Sequence, residues 1–214
     1  MRWGFFVSLI VCCAFVSSCQ SSKSGDRGLA PKSLLDPIVG DHAYGETFAK
    51  NTALKRAHSE LMPAFSARVT FWNDDLRRAY VRELSGRLRL SADEEMKLAK
   101  EELQENEAYV VFILQMGTRD RKWNNLNEKR SNWKLSLEDS VASTKVYPER
   151  IEVISIKDDA NRYFYDSEES YMQLYRVRFP RESIRNLKDF VFHISGLRGS
   201  LEFAFKNDSE SPRP

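Results

Sequence analysis

Acid–base chemistry near neutral pH would be sought first among three histidines, His42, His58 and His193. A hydrolytic triad needs a nucleophile, a base and an acid that orients the base. His42, in "DPIVGDHAYG", sits beside Asp41 and near Asp36, but it borders a tether-like segment where a precise site is hard to preorganise. His58 lies among Lys55, Arg56 and Glu60 and is expected on the solvated side of a helix. His193, in "FVFHIS", falls at the polar parity of a strand and is expected on a sheet surface. No G-x-S-x-G elbow occurs, and a hydrolase built on His42, Asp41 and His193 ranks last among the functional readings. Metal chemistry fares no better, because no Cys or His pair has ligand spacing. The acidic stretch "DDANRYFYDSEE", Asp158 to Glu169, fails the calcium-loop pattern. From Asp158 the third position is Ala160 and the sixth Tyr163; from Asp159 the fifth and sixth are Tyr163 and Phe164. A solvated hairpin loop is expected there. Phosphate-binding loops are absent, and "GLRGS" lies between strands rather than before a helix. The chain reads as a non-enzyme with no metal and no cofactor.

Two features remain for recognition. Arg77, Arg78, Arg82, Arg87 and Arg89 crowd one predicted helix. Guanidinium groups match phosphate bidentately, so this face could meet anionic head groups. The ordinary alternative is a helix surface salt-bridged to the acidic segment 91–107. The second feature is the polar loop "TRDRKWNNLNEKRSNW", Thr118 to Trp133, with Trp123 in its middle. A loop tryptophan can anchor a protein partner or stack on a sugar, or it can fold back onto the core rim.

All three cysteines, Cys12, Cys13 and Cys19, fall in the first twenty residues. Arg2 precedes an apolar run of 14 residues, Trp3 to Val16, shorter than the ~20 a bilayer span needs. The layout is that of an export signal. Val16-Ser17-Ser18-Cys19 resembles a bacterial lipobox, an aliphatic residue and two small ones before the cysteine that is lipidated. That resemblance implies a signal peptide over 1–18, removed with Cys12 and Cys13, and acyl chains on Cys19. Multiple acyl chains make membrane attachment durable. Gln20 rather than Asp after the cysteine leans toward the outer membrane.

Removing the leader takes away Arg2 and leaves 32 basic and 31 acidic residues, a net charge of +1. That balance gives no support to nucleic acid as a partner. The remaining chain has no cysteine pair, so its core alone must hold it.

Residues 19–40 are rich in Ser, Gly, Pro and Lys and read as a flexible tether. A helical part with one strand is expected over 41–107: a helix from about 44 to 60 ended by Pro63, a strand 66–72, a helix 75–88 capped by Asn73 or Asp74, and a helix to about 106. A capping box, Ser91 with Glu94, opens the last of these, and Met96, Ala99 and Leu103 are its expected buried line. Strands are expected over 108–207. "AYVVFILQM" is apolar on both faces and so must be central, while "NWKLSLE", "RIEVISI", "SYMQLYRVRFP", "DFVFHIS" and "SLEFAFK" alternate. "GLRG" joins the last two as a hairpin turn. Residues 208–214 read as a disordered tail. The fold class is α+β, mainly an antiparallel β-sandwich, Ig-like in general shape, with an N-terminal helix and a two-helix insertion. The "WKLSL" and "YRVRFP" segments in this order resemble uncharacterised bacterial lipoproteins, a likeness that implies no activity. The expected function is a binding or structural adaptor for an envelope protein, lipid-anchored to the outer membrane and facing the periplasm. Its candidate contacts are Trp123, Arg77, Arg78 and Arg82. The runner-up is a glycan- or lipid-binding module using Trp123 with Tyr163, Phe164 and Tyr165.

Overall fold

The computed structural model describes residues 43–59, 62–139, 144–155, 157, 159–165, 172–184 and 187–207. The leader, Cys19, the tether, His42 with Asp41 and Asp36, and the tail 208–214 lie outside them. In chain order the elements are α1 (Ala43–Lys50), β1 (Thr52–Ser59), β2 (Met62–Phe71), α2 (Asp74–Leu88), α3 (Ala92–Ala108), β3 (Tyr109–Thr118), β4 (Trp133–Asp139), β5 (Lys145–Val146), β6 (Arg150–Val153), α4 (Asp159–Tyr165), β7 (Gln173–Pro180), β8 (Asp189–Gly196) and β9 (Gly199–Lys206).

The strands form two antiparallel sheets, a five-stranded one in the order β1-β2-β3-β7-β6 and a four-stranded one in the order β5-β4-β8-β9. Period-two alternation decides how they meet. Val110, Phe112, Leu114 and Met116 of β3 point to one face with Ala67, Val69 and Phe71 of β2 and Tyr175, Val177 and Phe179 of β7. Leu135 and Leu137, Phe190, Phe192 and Ile194, and Leu201, Phe203 and Phe205 answer from the other sheet. Phe112 lies within 6 Å of Phe71, Phe179, Phe190, Phe192 and Phe205, which makes it the hub of an aromatic cluster. The fold is therefore a β-sandwich. The opposite face of β3, Val111 and Ile113, packs with Leu174 under a helical layer built by Tyr44, Phe48, Leu76, Leu84, Phe164 and Tyr165. The central strand is covered on both sides, as its unbroken apolar run requires.

Local chemistry accounts for the helix ends. The Asn73 side chain accepts a hydrogen bond from the Leu76 amide at 3.0 Å and starts α2. Ser91 and Glu94 form the reciprocal capping box of α3. Asn51 stops α1: its side chain turns back to the Thr47 carbonyl at 2.8 Å and accepts from Asn73 at 2.9 Å.

Several expectations are corrected. The helix expected over 44–60 ends at Lys50, and residues 52–59 form β1 instead, so the N-terminal part holds two strands rather than one. Tertiary pairing wins there, because Ala53 and Ala57 close the sandwich rim while β1 lies along β2. Pro63 does not end a helix but sits in β2 opposite His58. His58 accordingly lies on a strand, beside a bulge, not on a helix. The acidic stretch expected as a loop contains α4, because Phe164 and Tyr165 bury themselves against the helical layer.

Candidate interaction surfaces

Helix α3 packs Leu98 against the helical-layer core and is tied to α2 and β7 by a charge network. Its inward side carries Glu102, Glu105 and Asn106. Strand β7 points Arg176 and Arg178 outward from the sandwich, and α2 contributes Arg77. Glu105 receives Arg77 at 2.9 Å and Arg178 at 2.8 Å, and it pairs with Arg176 as well. Glu102 pairs with Arg77 and accepts from the Trp72 indole at 3.0 Å. Arg77 also donates to the carbonyls of Trp72 and Glu102 at 3.1 Å each. Burial pushes the Glu105 carboxyl upward, but the hydrogen bonds and charges of Arg176 and Arg77 outweigh it and hold the group down at about 2. Arg176 is pushed up despite its burial, chiefly by Glu105.

For Arg77 this arrangement is the salt-bridged alternative, a helix surface paired with segment 91–107, and not the external contact. Arg77 is 2% exposed and committed to the network, so it does not meet an external anion. Two residues of the expected buried line of α3 face water instead, Met96 at 67% and Leu103 at 52% exposed, while Ala99 is half-buried. The helix is rotated relative to its apolar stripe because its carboxylates are the groups that find partners. Between α2 and α3 this leaves a groove of about 250 Å³. Arg78, Val81 and Arg82 form one wall, Glu95, Ala99 and Leu103 the other, with Arg77 and Glu102 between them. Arg78 and Arg82 are exposed at its rim, as the sequence reading placed them. Arg87 is engaged elsewhere: it pairs with Glu83 at 2.6 Å and lies 3.9 Å above the Tyr163 ring.

Trp123 ends a short 3-10 turn, Arg121–Trp123, in the β3–β4 connection. It is half-buried at one end of the sandwich. Its carbonyl accepts from the Trp133 indole at 2.6 Å, and the Arg198 guanidinium lies 4.7 Å over its ring. The companion aromatics proposed for ligand contact do not join it. Phe164 and Tyr165 are 1% and 4% exposed in the helical layer, and Tyr163 donates to Glu83 at 3.0 Å. His193 stands between Glu138 at 3.1 Å and Glu202 at 3.5 Å on the outer face of the four-stranded sheet, at the parity expected.

Sequence reasoning missed Glu102, Glu105, Arg176 and Arg178. A signal existed: "YRVRF" alternates charge against core on a strand beside β3, whose second face had to be covered. Charged outward positions under a cover call for a cover of opposite sign, and the acidic helix 91–107 was at hand. The chain matches no family model, no curated protein and no solved structure.

Proposed function

We propose that the chain is a lipid-anchored cell-envelope protein that acts as a non-enzymatic adaptor. The leader 1–18 is removed, Cys19 is acylated, and residues 19–40 tether the domain to the outer membrane on its periplasmic side. The address is supported by the resemblance of Val16-Ser17-Ser18-Cys19 to a lipobox. The docking role is carried by one observation: α3 presents Met96 and Leu103 to water beside a groove rimmed by Arg78 and Arg82. An apolar ridge next to two exposed guanidinium groups suits a partner segment that offers apolar anchors and carboxylates. Burying Leu103 and Met96 would contribute ~1.5–3 kcal/mol each before the losses of association.

A photo-crosslinking residue at position 103, used in cells, tests the groove. One envelope protein is expected to be captured reproducibly, and the yield should collapse in the Arg78→Glu, Arg82→Glu double variant. Capture of nothing, or capture untouched by that reversal, removes the groove reading. Cys19→Ala tests the anchor separately: it should abolish acyl labelling and move the protein out of the membrane fraction. An unlabelled wild-type chain would remove the anchor.

A further inference from the structure

One end of the sandwich is a basic platform with an apolar apex. The β3–β4 connection and the β8–β9 turn meet there, where Arg198 covers Trp123 and lines a shallow cavity with Arg119 and Asp120. The connection and the turn carry Arg119, Arg121, Lys122, Lys129, Arg130 and Arg198 against Asp120 and Glu128 alone among the described residues. All eight are exposed. At the turn itself Leu197 is 83% exposed, the most exposed of the large apolar side chains among the described residues. The platform is rigid rather than loose. Thr118 donates to the Asp120 carbonyl at 2.8 Å, Tyr175 donates to the Asn124 carbonyl at 2.8 Å, and Leu126 is buried in the sandwich core. Cations held on an ordered scaffold lose less freedom on binding than cations on a loose loop.

Charge is also polarised across the molecule. Helix α3 carries seven carboxylates and two lysines, so a chain of net charge +2 has one strongly acidic element and one strongly basic end. We infer that this end docks on an anionic lipid surface, with Leu197 entering the interface and the surrounding arginines and lysines meeting head-group phosphates. An exposed leucine next to Arg198, on an end rich in cations, matches a surface that is apolar below and anionic above. Nucleic acid would offer the charge but nothing for Leu197. The inference stands apart from the groove between α2 and α3.

The test uses the chain from residue 20, which contains every described element of the fold and lacks the apolar run Trp3 to Val16, in flotation with phosphatidylcholine vesicles with and without phosphatidylglycerol. Binding is expected only to the anionic vesicles. It should weaken as salt shortens the Debye length from ~8 Å at physiological ionic strength to ~3 Å at 1 M. Arg119→Glu with Arg198→Glu should lower the partition about tenfold or more, and Leu197→Asp alone should lower it severalfold. The matched reversal Lys97→Glu with Lys100→Glu on α3 should leave it unchanged, and an unshifted urea midpoint certifies each fold. No binding to anionic vesicles overturns the inference. So do equal losses from both pairs of reversals, or vesicle binding indifferent to Leu197→Asp while a crosslinker at position 197 captures a protein.

Discussion

Truncating Arg77 would strand Glu102 and Glu105 beneath α3 with too few cations. Breaking one partner out of such a buried set costs ~3–5 kcal/mol, so Arg77→Ala is expected to lose a large fraction of the stability of a domain this size. Arg78→Ala, one residue on but exposed, should stay within about 0.5 kcal/mol of the parent. Urea denaturation of the two variants checks the contrast. The same network sets a pH dependence. The folded-state pKa of Glu105, about 2, lies below its ordinary value of 4.5. Its contribution is therefore complete above the unfolded value and is lost as pH falls from 4.5 toward 2. Stability measured from neutral pH downward should begin to fall in that window. Glu105→Gln should lower the neutral plateau and flatten the decline; an unchanged slope would assign the acid response to other carboxylates.

At the scale of elements, hairpin β8–β9 and helix α2 each depend on one residue type. Gly199 adopts φ +125, a backbone that residues with a side chain rarely take, and Gly196 leaves room for the Trp133 ring. A Cβ at Gly196 would lie 2.4 Å from Trp133 Cε3. Gly196→Ala therefore has to move the indole that holds the Trp123 carbonyl, at a cost of ~1–3 kcal/mol by overpacking. The shift should also alter Trp fluorescence, which a purely local backbone effect would not do. Asn73→Ala removes the α2 cap and the link to Asn51 together and should cost ~1–2 kcal/mol in thermal or urea unfolding.

The whole molecule has two cores on either side of one sheet. Phe192 belongs to the sandwich core and Phe164 to the helical layer, but both cores rest on β3. Alternate residues of one strand cannot lose their partners separately without exposing the strand. Phe192→Ala and Phe164→Ala are each expected to cost ~3–5 kcal/mol and to shift one common transition. Far-UV circular dichroism and tryptophan fluorescence should coincide in both variants. Two resolved transitions in Phe164→Ala would show that the helical layer unfolds by itself.

The residue string by itself determined whatever depends on short periods and local hydrogen bonds. The doubly covered strand "YVVFILQM", the alternating strands "WKLSL" and "DFVFHIS", the Asn73 cap and the Ser91–Glu94 box were legible because their causes lie within a few neighbours. Only the tertiary structure decided the rest. Residues 52–59 became a strand because β2 offered an unpaired edge and the sandwich rim took Ala53 and Ala57. The rotation of α3 followed from arginines some seventy residues away on β7, which drew Glu105 inward and turned Met96 and Leu103 out. Among the candidate contacts, Arg78 and Arg82 could be placed from helical spacing alone. For Arg77 the sequence offered the acidic segment 91–107 as an alternative partner, but which arginine would be buried against it has no local signature.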